Sequence, residues 1–396
     1  MARVCGNAWL VFAAAAVCGG ASPEYRARRE ALRKALPEAV IVLKGGVETA
    51  KDVQDVRSPF FQEPNFYYLT GWSQPGARLL IDPHRAILFL PAHDAEREKW
   101  TGPRQAAADP DIEGATGFDT VLPLDRYELE LGSLAAPVES SAVEKALVRL
   151  RMKKSAAEIA LIERSIEATA AAHRAAWKRA SAGMYEYQVA ALMMSVYLDR
   201  GCERSAYAPI VGAGPDAVYL HYDRNERRLE HGELLLMDVG AECAGYAADV
   251  TRTIPVDGRF TRRQREIYNI VLGAQKAAIA AVKPGVTIGR NTPNSIHQVA
   301  LDYLNSHGKD LHGAPLGQYF THGISHHIGL EVHDAADISA PLEEGMVISI
   351  EPGLYIREEQ IGIRIEDMVL VTREGARVMT AALPREAADI EKAMGK

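Results

Sequence analysis

From Glu24 to about Ala142, short apolar runs bounded by turn residues alternate with stretches of helical period. The runs at 38–43 and 86–90 predict strands. Residues 137–144 are polar, carry few structural signals and predict a connection between domains. Beyond them, Ser155-Ala156-Ala157-Glu158 has the capping-box spacing, in which a serine and a glutamate each satisfy a free backbone N–H of a first helical turn. It opens an Ala-rich helix running to about Ala180. Gly183 breaks that helix, and 185–199 predicts a second. Thr261-Arg262-Arg263-Gln264 opens a third, which ends before Pro284-Gly285. A fourth is expected from about Pro293 to Asn305, stopping at Gly308. Strands are predicted at 233–239, 246–253, 346–350 and 361–371. Helix pair and strand pair therefore occur twice, with Ala182-Gly183-Met184 and Pro284-Gly285-Val286 in corresponding places, which suggests a duplicated half. The expected class is α+β, with an antiparallel sheet covered by helices.

At 396 residues the chain has room for two domains. With 47% hydrophobic residues it can bury an ordinary core, which excludes wholesale disorder. Its 45 basic and 52 acidic side chains give a net charge of −7, the wrong sign for a nucleic-acid surface. After the N-terminus no apolar run is long enough to span a membrane. Residues 1–21 differ: Arg3, an apolar stretch at 8–17 and the small residues Gly19, Gly20 and Ala21 have the layout of a secretory signal peptide. The expectation is an exported protein, periplasmic or secreted. A lipid anchor on Cys18 is disfavoured by the bulky Val17 before it. Cys202 and Cys243 would remain, too few for a disulfide scaffold, and are expected as buried free thiols.

Two apolar strands carry aspartates where core residues are expected: Asp238 in 234–240 and Asp249 in 246–251. If residues 242–245 form the loop of a hairpin, the two aspartates stand directly opposite each other and point to one face. They would repel unless a cation lay between them. The alternative is a pair of solvated strand-end aspartates. Four of the 12 histidines fall in one short segment, as His322, His326, His327 and His333, among glycines that argue against a helix. Downstream, Glu351 ends an apolar strand, and the alternation in 362–367 places Arg364 and Glu366 on one face with isoleucines on the other. The candidate ligands are Asp238, Asp249, His326, Glu351 and Glu366. Four carboxylates and one imidazole, with no thiolate, suit two hard divalent ions. Such a pair would acidify a bridging water and polarise a carbonyl or phosphoryl oxygen.

The segments MDVGAECAGYAADVTRT, HGISHHIGLEVHD, ISIEPGLYI and GIRIED, with YLHYDRNE before them, resemble the pita-bread-fold metallopeptidases, and within them the Xaa-Pro aminopeptidases (aminopeptidase P). FFQEPNFYYLTGWSQPGA resembles that family's N-terminal domain. The resemblance implies a pita-bread catalytic domain over 146–396 preceded by a smaller α/β domain over 22–145. It implies a dimetal exopeptidase that removes the first residue from peptides with proline second, by way of a metal-bridging hydroxide. Asp238 would bind one ion, Asp249 and Glu366 would bridge both, and His326 and Glu351 would bind the second. Glu351 would also shuttle the proton. The metal expected first is Mn²⁺, with Co²⁺, Fe²⁺ or Zn²⁺ able to satisfy the same ligands. His221, His322 and His333 would hold the substrate carbonyl, line the proline subsite and donate to the oxyanion. Arg364 and Tyr355 would lie near metal and substrate. His327 stands where the family more often has an apolar or aromatic residue, so an altered pocket is expected there.

The partners implied are proline-containing peptides, with homo-oligomers left open. A prolidase acting on Xaa-Pro dipeptides is the nearest alternative. The span between His333 and Glu351 has no arginine of the kind prolidases use as a carboxylate clamp, which favours longer peptides. A catalytically silent peptide-binding module on the same fold is the other, and it conflicts with the retention of all five ligand positions.

Overall fold

A computed structural model describes residues 22–55 and 59–395. The segment expected as a signal peptide lies outside the described residues, as do Cys5 and Cys18. Two compact units divide between Leu147 and Val148.

In the first unit, the strands Ile41–Lys44, Arg78–Ile81 and Ala86–Leu90 pair antiparallel, and Val121–Pro123 adds in parallel to the third. Leu79, Leu80, Ile81 and the run from Ile87 to Leu90 are fully buried, as strands covered on both faces require. Arg28 and Arg29, on helix Pro23–Ala35, donate to the carbonyls of Tyr68 and Leu69 at the C-terminal end of helix Pro64–Thr70. Cations there satisfy carbonyls that the helix leaves unpaired and meet the negative end of its dipole.

The stretch expected as a structureless connection is helical from Ser140: helix Ser140–Met152 carries Val143 and Leu147 at i, i+4, both buried. Their burial against neighbouring elements overrides a weak local signal. Helix Ala156–Arg179 begins at the expected capping box, and Glu186–Asp199 packs back on it. The strands Ile210–Ala213, Leu234–Val239 and Val250–Pro255 follow as one antiparallel sheet. The second helix pair is Arg262–Ala281, capped by Thr261 and Gln264, and Ile296–Ser306. That last helix starts three residues later than the pattern suggested, at Ser295 as N-cap, because Asn294 takes φ 58° and cannot continue a helix. Strand Val347–Ile350 then pairs with Asp367–Thr372, and Gly353–Ile356 with Ile361–Arg364. The single strand expected at 361–371 is thus broken at Ile365 and Glu366.

The duplication is visible in the backbone. Gly183 N–H donates to Leu229 O and Leu229 N–H to Met184 O; Gly285 N–H donates to Leu342 O and Leu342 N–H to Val286 O. Gly183 and Gly285 take φ 94° and 87°, values that only glycine adopts at little cost. The two halves join where Glu366 N–H donates to Thr251 O and Arg364 N–H to the Thr253 hydroxyl.

Two expectations are corrected. Cys202 and Cys243 are bonded as a disulfide, not free: strand pairing of Arg204 with Glu242 brings their neighbours side by side across a separation that the sequence does not show. The hairpin loop is also shorter than expected. Ala244 and Gly245, both at positive φ, make a two-residue turn, so Asp238 faces Thr251, not Asp249. A register shift of two leaves every side chain on its original face, so Asp238 and Asp249 still share one.

Candidate metal centre

The polar face of these strands opens into a cavity of about 230 Å³. Asp238, Asp249, His326, Glu351, Glu366, His221, His322, His333 and Arg364 all line it. Tyr355 stands just behind, through its hydroxyl.

Asp249, His326 and Glu366 each bring one ligand atom within 4.8 Å of the others. His326 Nε2 lies 3.3 Å from Asp249 Oδ2 and 3.4 Å from Glu351 Oε1. The ring is oriented by its other nitrogen: Nδ1 lies 3.1 Å from the His327 carbonyl, a pairing that makes Nδ1 the donor and leaves the Nε2 lone pair facing the carboxylates. Ser349 accepts from His326 N–H and donates at 3.0 Å to Glu351 Oε1, fixing two candidate ligands at once. Thr251 donates at 2.7 Å to Glu366 Oε2.

Glu366 Oε1, in contrast, is buried without a hydrogen-bond partner among the described residues. Burial, then the charges of Asp249 and Glu351, push the Glu366 carboxyl well above its ordinary range, and burial with Asp238 and Glu351 does the same to Asp249. Burial also raises Glu351, although His326 opposes it. Asp238 behaves differently: burial would raise it, but the Arg364 guanidinium against it holds it low. Three carboxyls that resist ionisation together, an orphaned oxygen between them and an imidazole lone pair constitute a donor set that a divalent cation satisfies.

Around this cluster the histidines are not equivalent. His322 gives Nδ1–H to Gly323 O at 2.7 Å and takes a hydrogen bond at Nε2 from Tyr355, 2.8 Å away, while Tyr355 accepts from Arg364. Burial and Arg364 lower its pKa to about 3, so it is neutral and both nitrogens are committed. It therefore presents a ring edge and face to the cavity, not a donor, whereas the rings of His221 and His333, which also line it, make no hydrogen bond among the described residues. His333 packs edge-on against His326, 4.2 Å between ring centroids, and burial, with His326 and His221, lowers its pKa.

His327 does not line the cavity; it is 2% exposed and sits toward Lys154 and Asp334, so the altered pocket expected from it is not found. Pattern reasoning missed Tyr207, whose hydroxyl bonds Asp238 Oδ1 at 2.6 Å and also Asp249 Oδ1. Nothing local in its segment signals that role. Thr251 and Ser349 were missed too, yet each stands two residues from a ligand in a strand, on the same face, and alternation alone could have found them.

Residues 160–373 match the model of metallopeptidase family M24, and 25–143 match the aminopeptidase P N-terminal domain. A Xaa-Pro aminopeptidase of Haemophilus influenzae is 35% identical over 90% of this chain and 94% of its own length. Among solved structures, proline aminopeptidase P II from Yersinia pestis superposes with a TM-score of 0.82 at 30% identity, over 94% of this chain and 99% of that one. Aminopeptidase P from E. coli with the inhibitor Pro-Leu gives 0.82 at 29% identity, over 94% and 98%.

Proposed function

The chain belongs to metallopeptidase family M24, in its Xaa-Pro aminopeptidase branch, and on that premise we propose that it is a two-metal exopeptidase that removes the first residue from peptides with proline in the second position. The observation that carries this reading is the convergence of Asp249, His326 and Glu366 around an unpartnered buried Glu366 oxygen, with Glu351 beside them.

Asp238 and Asp249 would hold one ion, Asp249 and Glu366 would bridge to a second, and His326 and Glu351 would complete it. Oxygen-rich ligands with one imidazole favour Mn²⁺. When bound, the ions would supply an acidified water and polarise the scissile carbonyl. The protein's own groups do the rest. Glu351, steadied by Ser349, accepts a proton and returns it to the leaving proline nitrogen. His221 and His333 direct N–H groups at the oxygen where charge develops. Asp238 offers a carboxylate to the free α-amino group. The Arg364–Tyr355–His322 series forms a stiff wall suited to the proline ring, whose imide has no N–H to satisfy. The inhibitor Pro-Leu on the E. coli relative supports a proline-side subsite.

Export is part of the same reading. A Cys202–Cys243 disulfide fits an oxidising compartment, which is where the signal-like first 21 residues would send the chain.

The test is substrate comparison on metal-stripped protein reloaded with Mn²⁺. Metal-dependent release of the first residue from Xaa-Pro-Xaa, well ahead of Xaa-Ala-Xaa, the Xaa-Pro dipeptide and the N-acetylated tripeptide, is expected. Cleavage of the dipeptide alone would make the enzyme a prolidase. No cleavage with any metal would leave a peptide-binding module.

A further inference from the structure

The catalytic cavity, at about 230 Å³, lies below the roughly 300–1,000 Å³ of pockets that enclose a small ligand, so it has room for little beyond the residues flanking the scissile bond. A longer peptide must leave it. The residues just before His322 line a second, larger cavity of about 670 Å³. His322 and Gly323 line the first cavity, and Phe320 and Thr321 line the second. The two linings touch through side chains: the Phe320 ring meets His322 edge-on at 5.1 Å, and its face stacks on His297 at 4.8 Å.

The chemistry of the second cavity is one-sided. No residue lining it is acidic, and Arg290 is its one cation. Arg290 gives one N–H to the Thr321 carbonyl, which orients the guanidinium, and pairs with no carboxylate among the described residues. His297 is 2% exposed, and its Nδ1 has no hydrogen-bond partner among the described residues. Burial and the nearby Arg290 lower its pKa, so it is a neutral imidazole. The amides of Asn291, Asn294, Gln298 and Gln318 complete a lining suited to a peptide backbone. A guanidinium held at one nitrogen with the rest of its fork open is a carboxylate receptor.

We propose that this cavity receives the part of the substrate beyond proline and that Arg290 binds a peptide carboxylate there, making the enzyme selective for oligopeptides carrying a negative charge a few residues past the scissile bond. The inference rests on the aminopeptidase reading above and adds a determinant of length and charge. The carboxylate has two sources, the chain terminus or an acidic side chain.

The metal-loaded enzyme is assayed on Ala-Pro-(Gly)n peptides of three to six residues, each as free acid and as C-terminal amide, and on amides ending in glutamate. The expected result is a length at which kcat/KM for the acid exceeds that for the amide about tenfold, mainly through KM. Arg290→Ala removes that difference and Arg290→Lys keeps part of it. Recovery by the glutamate amides assigns the carboxylate to a side chain, and no recovery assigns it to the terminus. Equal rates for acid and amide at every length, or a preference that survives Arg290→Ala, overturn the proposal. If no peptide is cleaved, it is the catalytic reading that has failed. Calorimetry with Pro-Gly-Gly-Gly as acid and amide then decides, and equal affinities overturn the inference.

Discussion

Lys154 Nζ meets Asp334 Oδ2 at 2.9 Å with both side chains almost wholly buried, and Arg151 bonds the other carboxylate oxygen. Asp334 directly follows His333, so this ion cluster fixes the end of the segment that carries the proposed oxyanion donor. Gly329 belongs to the same arrangement, since a Cβ there would come within 2.3 Å of Asp334 Oδ2.

Removing the carboxylate should therefore be costly. Burial alone would raise the Asp334 pKa, but Lys154 and Arg151 more than reverse this and hold it below the ordinary value. Asp334→Asn leaves buried Lys154 without its counter-charge and Arg151 with only the half-exposed Glu331, and should destabilise the protein by about 3–5 kcal/mol at neutral pH. A depressed folded pKa contributes stability above the ordinary aspartate range and loses it as pH falls through the folded value. The gap between wild type and variant in urea unfolding should thus close below about pH 4. A gap unchanged by acid would show that the ion pair is not its source.

Metal uptake should release protons. Asp249, Glu351 and Glu366 are all raised in the metal-free protein, so an incoming cation must displace protons from them. The sign is opposite to that of Asp334: stability from these groups is present below the ordinary carboxylate range and lost as pH climbs through the raised values. Calorimetric titration with Mn²⁺ in mildly acidic buffers of different ionisation enthalpy should report net proton release, and affinity should rise with pH. Zero release would mean that the carboxylates are already ionised.

Tyr207→Phe removes the one hydroxyl shared by Asp238 and Asp249. Loss of such an orienting hydrogen bond should weaken metal binding about 10–100-fold. Metal content after dialysis and the Mn²⁺ concentration for half-maximal activity measure it. Unchanged values would reduce the hydroxyl to a packing group.

Glu351→Gln preserves shape and the hydrogen bond from Ser349 while removing the proton acceptor. Turnover should drop about 10²–10⁴-fold, with much of the metal still bound. A near-normal kcat would assign the proton transfer to another group.

The Cys202–Cys243 bond closes a loop with a sequence separation of 41. Reduction, or replacement of both cysteines by alanine, should cost about 2–4 kcal/mol of unfolding free energy, read from denaturant midpoints. Thiol titration of the unfolded, unreduced protein should find neither cysteine free.

What could be read from the sequence was what is local. The capping boxes at Ser155 and Thr261 place their helices because both partners lie within four residues. Asp238, Asp249, Glu351 and Glu366 stand out because a charge inside an apolar strand needs a reason. The register of Asp238 was misjudged by two because Ala244 enters positive φ without the Asn-Gly signature of a tight turn. Tyr207 and the Cys202–Cys243 bond could not be read at all, since both depend on a strand pairing that only the folded chain makes. Helix Ser140–Met152 was obscured for a similar reason: its buried face is defined by what packs on it.

The repeated Gly183–Leu229 and Gly285–Leu342 pairings divide the proposed ligands as well as the fold. Asp238 and Asp249 come from the earlier half, and His326, Glu351 and Glu366 from the later one. Neither half holds all five of the proposed ligands. The bound ions would therefore act as rivets across an internal seam. Catalytic competence in this chain becomes a measure of mating between two similar pieces, and chelation should loosen the seam first.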